Sequence, residues 1–363
     1  MRRFFYILLC LCIFACGEDT KYGGNKINIP VQGVDAGMCD IFTDISVIPL
    51  ETNDSSFVGS ISKIELSDGK IYVLDKSSTK QVHIFDTVGN YISSIGNIGR
   101  GNGEYLNIED FTLCNDTVVI LANSSTVYLY DNHGGFISSK KLSESLLWSI
   151  TSTAWGYVAS TNHQTFTTGQ DAYLLYSFDK SFNSLGKYIK TLPIYVQLPP
   201  FVRNPLQSIG ETVYYHDNWT PNLYVLDNGS KMVVDTITYH GFENFPTVTA
   251  LADINSFMAN ITQYDCIFDY VVVGNNLVTV YLGSQTFKIL ITKLDTMQCN
   301  LYNWSDKYGV PPFLCVDKNG YIYSSLSVEA LKGSTAIISQ LGDISYLKDD
   351  DNPVILKFRL NNY

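Results

Sequence analysis

The sequence predicts an all-β fold, namely a six-bladed β-propeller built of four-stranded blades. Three observations predict it. Apolar runs recur at a regular spacing, the composition favours strands over helices, and one N-terminal run is left over that can complete the last blade. A closed ring of small antiparallel sheets accounts for all three, because its blades repeat and its two ends must join.

The repeat consists of short apolar runs that end in Asp. Successive ends lie 45, 48, 48 and 68 residues apart, and a further run without the acid fills residues 354–360. A period in the forties with several strands per unit is typical of a propeller blade, and the longer spacing indicates an insertion. The runs end at Asp86, Asp131, Asp179, Asp227 and Asp295.

The composition agrees with a β fold. The chain has 25 Tyr and 19 Phe but only 16 % charged residues, which is typical of strands. Its formal net charge of −11 would repel a phosphate backbone, so we expect no nucleic-acid partner. Residues 247–261 have apolar positions at helical spacing, and Ser334 could cap a helix at residues 334–341, so we expect short helices there.

Closure of the ring gives the N-terminal strand a role. The sixth unit ends after its third strand, whereas residues 45–51 form a strand that belongs to no unit. This strand should complete the last blade and join the two ends of the ring, which protects the sheet edges. Two separate β domains are the alternative, but no Pro- or Ser-rich linker divides the chain.

The first residues have the features of a bacterial export signal. Arg2 and Arg3 precede an apolar run at residues 4–14, which is too short to cross a bilayer as a mature helix. The following Ala-Cys-Gly resembles a lipobox, in which the signal is cut before the cysteine and the cysteine carries the lipid. We therefore expect Cys16 to be lipidated; an ordinary secretory peptide cut nearby is the alternative.

These features divide the chain into three parts. We expect a signal peptide at residues 1–15, the lipidated cysteine and a tether at residues 16–40, and a single propeller domain at residues 41–363. Glu18 and Asp19 follow the cysteine and resemble the signal that sends some lipoproteins to the outer surface. The sequence therefore predicts a protein anchored in the outer membrane by its lipid, at the cell surface rather than on the periplasmic side.

The remaining cysteines give no sign of a metal or redox site. They are odd in number and widely spaced, and no CxxC pair is present. We expect these cysteines to be small residues of the core, and a single disulfide is the alternative. They are Cys39, Cys114, Cys266, Cys299 and Cys315.

The long connections are predicted to share one face of the propeller. In this fold the B–C loops and the D-to-A connections lie on one face, here called the long-loop face. The A–B and C–D turns lie on the other, here called the turn face. Function tends to sit on long loops held by a rigid scaffold, so the long-loop face around the axial channel is the predicted binding surface. Its segments are residues 96–108, 162–172, 192–205, 240–265, 303–312 and 327–353.

Aromatic rings mixed with charged side chains in these segments suit a glycan or a peptide. A flat ring covers apolar C–H groups while polar groups fix orientation. The alternative is that the rings bury the loops against the blades. The candidate ligand-binding residues are Arg100, Glu104, Tyr105, His163, Arg203, Trp219 and Trp304.

The Gly-rich segment at residues 95–111 is expected to turn the chain rather than bind phosphate. It lacks the third glycine of a dinucleotide fingerprint and the lysine of a P-loop. Its glycines should allow a tight passage between the first two blades. We expect Tyr105 to pin the loop, and Arg100 and Glu104 to form a charge pair, with a ligand contact as the alternative.

Two segments resemble a known family. They are VIPLETNDSSFVGSISKIELSDGKIYVLD at residues 47–75 and GRGNGEY at residues 99–105. Both resemble the lipid-anchored six-bladed β-propellers of gut-type Gram-negative bacteria, which are related in fold to NHL and TolB-like propellers. Asn102 departs from the proline usual there. The family's function is largely undefined, so the resemblance implies architecture and export but no activity.

No motif for catalysis, metal binding or a cofactor was found. The five histidines are scattered, and neither HExxH nor a G-x-S-x-G elbow is present. We therefore predict a non-catalytic binding or scaffold module without a cofactor or metal. It would bind a glycan or peptide, or join a membrane complex. The alternative is a metal-assisted hydrolase or lyase whose ligands come from different blades and meet at the axial channel.

Overall fold

The computed structural model describes residues 25–162, 172–191, 202–217, 219–228, 232–307 and 309–361. Most of them lie in short strands. In chain order the strands are β1 Asn25–Asn28, β2 Val34–Ala36, β3 Phe42–Ile48, β4 Lys63–Ser67, β5 Lys70–Asp75, β6 Gln81–Asp86, β7 Tyr91–Ile95, β8 Asn97–Ile98, β9 Glu104–Tyr105, β10 Ile108–Cys114, β11 Thr117–Ala122, β12 Thr126–Asp131, β13 Phe136–Lys141, β14 Ser149–Ser152, β15 Gly156–Ser160, β16 Tyr173–Asp179, β17 Ser184–Lys190, β18 Leu206–Ile209, β19 Thr212–Asp217, β20 Asn222–Asn228, β21 Met232–His240, β22 Cys266–Val273, β23 Asn276–Gly283, β24 Thr286–Lys293, β25 Cys299–Trp304, β26 Cys315–Val316, β27 Tyr321–Leu326 and β28 Val354–Leu360.

These strands form six antiparallel sheets arranged as a six-bladed β-propeller, which confirms the predicted fold class. Blades 1 to 5 are β4–β7, β10–β13, β14–β17, β18–β21 and β22–β25, and blade 6 is β26–β28 completed by β3. The first strand of each blade lies nearest the axis. A short ladder of β8 and β9 lies in the connection between blades 1 and 2.

The repeated Asp of the sequence has a local structural cause. Asp86, at the end of the third strand of blade 1, accepts the N–H groups of Val88 and Asn90 at 3.0 and 2.9 Å. Asp131 and Asp179 make the same two contacts in blades 2 and 3. Each carboxylate closes the hairpin turn to the fourth strand, which is the turn chemistry that Asp favours.

The N-terminal strand closes the ring as predicted, at slightly earlier residues. Strand β3 pairs antiparallel with β28, with Ile48 opposite Ile355 and Phe42 opposite Leu360. The predicted strand at residues 45–51 therefore lies at Phe42–Ile48. The buried Phe42 ring packs 4.8 Å from the ring of Phe358, so closure also builds core between blades 5 and 6.

Two further N-terminal strands were not predicted. Strand β1 pairs in parallel with the outer strand of blade 4, and β2 pairs in parallel with the outer strand of blade 5. Ile27 of β1 is fully buried in the core between these blades. The part of the chain assigned to a tether by the sequence is thus, from residue 25 onward, part of the propeller.

The two predicted insertions hold short helices. In the first insertion, Thr247 and Asp253 cap two successive helices by accepting hydrogen bonds from the backbone N–H groups of Ala250 and Ser256. No helix in the described residues is long and apolar enough to cross a membrane. The helices are α1 Met38–Ile41, α2 Val248–Ala252, α3 Ile254–Ala259, α4 Val328–Gly333 and α5 Thr335–Ile338, with a 3₁₀ turn at Ile261–Gln263.

All five cysteines beyond Cys16 are free thiols. Cys266 is buried in a small core cluster with Trp219, Leu251 and Phe257. The other four are partly buried, so the prediction of small core residues holds fully only for Cys266.

Candidate functional site

The axial channel forms a funnel that opens on the turn face and narrows toward Lys63. Its volume is about 960 Å³, within the range of small-ligand sites. From Lys63 at the narrow end to Ser67 at the rim, strand β4 rises by about 13 Å. The rim is formed by the turns after the inner strands of five blades, at residues 67–70, 114–115, 153–154, 209–210 and 317–319.

Lys63 closes the narrow end of the funnel. Its buried ammonium lies 3.2 Å from both the Glu65 and the Asp110 carboxylates. It also donates to the backbone carbonyls of Phe111 at 2.7 Å and Ile150 at 3.0 Å. One side chain from blade 1 thus joins the inner strands of blades 2 and 3, and its three N–H donors are fully used.

Two aspartates occupy equivalent bulges on the inner strands of blades 2 and 5. The bulge lies between Ile108 and Asp110 in β10, and between Ile267 and Asp269 in β22. Each carboxylate then accepts a backbone N–H of the following blade: Asp110 from Ile150 at 2.8 Å, and Asp269 from Phe313 at 2.7 Å. A bulge redirects a side chain, and here it turns the acid toward the next blade.

Two neighbouring residues before blade 4 also reach across the ring. Arg203 donates to the carbonyl of Ile61 before blade 1 at 3.3 Å. The Asn204 amide nitrogen donates to the carbonyl of Leu314 before blade 6 at 3.1 Å. This bond fixes the amide orientation, so the Asn204 Oδ1 atom is the acceptor. That oxygen is buried and has no hydrogen-bond partner, and Asn204 is one of the residues that line the funnel.

The charges at the narrow end follow from one cation and two acids. Burial alone would lower the pKa of Lys63, but the attraction of Asp110 and Glu65 outweighs it, so that pKa is raised. Burial raises the pKa of Glu65; repulsion by Asp110 adds to this, whereas the Lys63 charge and the Leu113 N–H oppose it. Both directions are consistent, because a single ammonium cannot fully compensate two carboxylates.

Asp269 is a further buried acid whose pKa is raised. Burial raises its pKa to about 7, although the N–H groups of Phe313 and Tyr270 and the charge of Arg203 act in the opposite direction. A buried carboxylate with only N–H donors around it keeps part of its desolvation cost. Asp269 therefore titrates near neutral pH.

A much smaller depression lies on the other side of Lys63, toward the long-loop face. Its volume is about 10 Å³, enough for one water molecule. The Lys76 ammonium lies 4.0 Å from the centre of the Trp148 ring, and burial lowers its pKa. Burial raises the pKa of Glu109, whose Oε2 atom has no partner. Arg203 also lines this depression.

The predicted residues of the Gly-rich loop act within the loop. The Glu104 carboxylate accepts the N–H of Gly101 at 2.7 Å, and among the described residues no ion pair joins it to Arg100, which is exposed. The expected charge pair is therefore not formed. Tyr105 is fully buried and its hydroxyl donates to the carbonyl of Lys80 at 2.9 Å, so it pins the loop as predicted.

Of the other candidates that the structure describes, Arg203 is the one that lies at the channel. Trp219 is buried, with its ring centre 5.6 Å from that of Phe257 in helix α3. Trp304 is partly buried in the core cluster of blades 5 and 6. His163 and Cys16 lie outside the described residues. The contacts of the two tryptophans fit the alternative interpretation, in which the rings bury loops and strands against the blades.

The funnel residues were missed by reasoning that concentrated on long loops. A usable signal existed in the repeated pattern of Ile, any residue, Asp and an aromatic residue at 108–111 and 267–270. It marks the two bulged inner strands. Lys63 and Asn204 carry no such pattern, because their partners lie on blades far away in the sequence.

The hypothesis of a metal-assisted enzyme finds no ligand set here. In the part of the chain that the structure describes, no group of three or more His, Cys, Asp or Glu side chains converges as metal ligands do. Lys63 also occupies the position between the two nearest channel acids.

Comparison with known proteins identifies a family and a fold. Residues 26–359 match the family described as Domain of unknown function (DUF4934). No curated protein sequence matches significantly. A crystal structure from Bacteroides fragilis NCTC 9343, provisionally described as an exported protein, has a TM-score of 0.73 at 17 % identity. The match covers 93 % of this chain and 100 % of that one.

Two other propellers are more distant. The WD40 domain of Pan2 from Neurospora crassa has a TM-score of 0.48 at 9 % identity, covering 84 % of this chain and 76 % of that one. BamB from Moraxella catarrhalis has a TM-score of 0.44 at 14 % identity, covering 79 % and 73 %. At these identities the likenesses concern the fold alone.

Proposed function

Because the chain belongs to the DUF4934 family, whose description assigns no function, we propose one from its geometry: a lipid-anchored, exported propeller that binds a ligand in its axial funnel. The ligand is a glycan or a peptide, and no reaction is catalysed. A role as scaffold in a membrane complex is compatible with the same anchor. The observation that carries the proposal is the funnel of about 960 Å³ with polar groups at its narrow end.

The funnel has the features of a ligand site rather than of a pore. Small-molecule sites are concave, mixed in polarity and largely preformed. Lys63 and its four acceptors occupy the narrow end, and the turns of five blades surround the mouth on the turn face, where a ligand can enter. Apolar side chains such as Leu66, Leu113 and Val316 alternate with polar ones along the wall.

This site lies opposite the face that the sequence favoured. The long-loop face stays a prediction, because two of its long segments, residues 163–171 and 192–201, lie outside the described part of the chain. Arg203 borders the small depression on that side. The funnel is the better supported site because it encloses about 960 Å³ and its lining residues are described.

Export and the lipid rest on the N-terminal sequence. The apolar run and the Ala-Cys-Gly motif at Cys16 support cleavage and lipidation. The description of the Bacteroides fragilis structure as exported agrees with this location. Metabolic labelling with a fatty acid should mark the wild-type chain but not a Cys16→Ser variant; labelling of both would exclude Cys16 as the lipidated residue.

Binding is tested with the full chain in detergent on glycan and peptide arrays. We expect saturable binding to a restricted set of ligands and no change in their covalent structure. Turnover of an array compound without stable binding would contradict a non-catalytic module. Absence of any bound compound would contradict the binding function itself and leave the scaffold role as the better hypothesis.

A further inference from the structure

We propose that the small depression on the long-loop side of Lys63 binds a carboxylate group of a small ligand through Lys76 and Arg203. This site lies across Lys63 from the funnel, so the inference goes beyond the proposed function and does not depend on it. It follows from two cationic side chains whose N–H donors are not all used, and from the size of the depression.

Lys76 is a partly buried ammonium without a hydrogen-bond acceptor. Among the described residues its contact is the Trp148 ring, whose centre lies 4.0 Å from the ammonium nitrogen. Asp110 and Glu109 attract its charge without accepting a hydrogen bond from it, and burial outweighs them and lowers the pKa of Lys76. A buried donor without an acceptor costs free energy, and a charged one costs more. A ligand oxygen supplies the missing partner.

Arg203 brings a second set of donors to the same depression. Its Nη1 atom donates to the carbonyl of Ile61 at 3.3 Å, next to Ser62, which lines the depression together with Arg203. A guanidinium has five N–H donors, and within the described part of the chain Arg203 makes no other hydrogen bond. Arg203 is exposed, so its unused donors can reach a ligand.

The charges that line the depression favour an anion. Lys63 and Asp110 form an ion pair at 3.2 Å, which leaves Lys76 and Arg203 against the single carboxylate of Glu109. Burial raises the pKa of Glu109, which moves this acid toward its neutral form. One bound carboxylate balances the excess positive charge, whereas a phosphate dianion exceeds it.

Two further acids near the axis do not line the depression. Glu65 lines the funnel, where one of its oxygens accepts Lys63. Asp269 accepts two backbone N–H groups, and Arg203 attracts it without forming a hydrogen bond or an ion pair with it among the described residues. Neither acid takes up the unused donors of Lys76 and Arg203.

The size of the depression fits one oxygen of a carboxylate. Its volume of about 10 Å³ corresponds to one water molecule, which is similar in size to a carboxylate oxygen. The second oxygen stays at the mouth, within reach of the exposed Arg203. The Trp148 ring holds the Lys76 ammonium through a cation–π contact, so this donor is in place before a ligand arrives.

Probes with matched neutral counterparts test the requirement for a carboxylate, by calorimetry on the full chain in detergent at constant ionic strength. Methyl glucuronide is compared with methyl glucoside, and acetyl-glutamate amide with acetyl-glutamine amide. We expect at least one acid to bind about ten- to hundredfold more tightly than its neutral counterpart, as for charge-assisted hydrogen bonds. The pair that shows the difference identifies a sugar acid or an acidic side chain as the source of the carboxylate.

Two variants place the effect at the depression. Lys76→Gln should weaken binding of the acid by about tenfold or more. Arg203→Gln is the second variant, in case the first does not fold, and should weaken binding in the same direction. Lys318→Gln is the matched control, because it removes the same charge from the funnel rim on the opposite face and should leave binding unchanged.

Four results would overturn the inference. They are equal binding of acid and neutral probes, acid binding that neither Lys76→Gln nor Arg203→Gln weakens, an equal loss in Lys318→Gln, and tighter binding of inorganic phosphate at pH 8 than of either acid. None of them concerns the funnel, so the proposed function would stand. That function fails through the array ligands instead.

Discussion

The ammonium of Lys63 lies 3.2 Å from the carboxylate of Asp110, and this buried ion pair joins the inner strands of blades 1 and 2. It also forms the narrow end of the axial funnel. The pair is therefore structural and, in the proposed function, defines the floor on which a ligand rests. The predictions below separate these roles.

Replacement of Lys63 should destabilise the fold strongly. Lys63→Met leaves Glu65 and Asp110 without their shared cation, and breaking a buried pair in this way costs about 3–5 kcal/mol. Chemical denaturation of the full chain measures the loss. Lys332→Met is the matched control: Lys332 pairs with Asp349 at 2.7 Å, but both are well exposed, so about 0–1 kcal/mol is expected. Equal losses in the two variants would contradict a buried structural role.

Asp269 should make the stability depend on pH between about 4 and 7. Its pKa of about 7 in the folded protein lies above the ordinary 3.8, so the folded state binds the proton more tightly than the unfolded chain. Its contribution is therefore fully favourable below about pH 4 and is lost as pH rises through 7. The difference corresponds to at most about 4 kcal/mol.

The Asp269→Asn variant keeps the shape and removes the titration. Relative to the wild type, the variant should gain stability as the pH is raised from 4 to 7, in denaturation curves recorded at each pH. A difference that stays constant over this range would show that Asp269 does not titrate there. Asp68→Asn, on the exposed rim, is the control and should show no such trend.

Gly96 should be essential for the connection between blades 1 and 2. Its φ is +92°, and an added Cβ would overlap the hydroxyl of the buried Tyr105. We expect Gly96→Ala to cost about 1–3 kcal/mol for the backbone and a similar amount for the overlap. Gly69→Ala is the control, because Gly69 has φ of +69° but nothing within 4 Å of an added Cβ. If the two losses are equal, the contact with Tyr105 is not a constraint.

The N-terminal strand β1 should stabilise the ring from outside. Ile27 is fully buried between blades 4 and 5, so Ile27→Ala should cost about 2–5 kcal/mol. Val31 lies in the same segment but is 98 % exposed, and Val31→Ala should change stability by less than about 0.5 kcal/mol. If the Ile27→Ala variant is as stable as the wild type, strand β1 is dispensable for the stability of the ring.

The blades could be predicted because their signals are local. In blades 1 to 3 the Asp at the end of the third strand closes a turn with N–H groups two and four residues later, so it recurs with these blades. Ring closure by β3 followed from counting strands. Strands β1 and β2 escaped prediction because they are short and pair in parallel with strands more than 200 residues away.

The candidate site was less predictable because it also depends on contacts between residues that are far apart in the sequence. Lys63, Asn204 and Glu65 line one funnel, and contact partners from other blades, only because the ring brings distant inner strands to one axis. Their neighbours in the sequence give no hint of this. Trp219 and Tyr105 drew attention as aromatic residues near long loops, yet the structure buries both in packing contacts.

The most direct test of the central claim is ligand binding by a chain whose funnel is filled. Ser208 lines the funnel and Ser184 lies exposed on the outer strand of blade 3, so Ser208→Trp and Ser184→Trp form a matched pair. If the funnel is the binding site, Ser208→Trp abolishes binding of the array ligands while Ser184→Trp binds like the wild type, with both variants folded by circular dichroism. Undiminished binding by folded Ser208→Trp would place the ligand elsewhere and contradict the proposal.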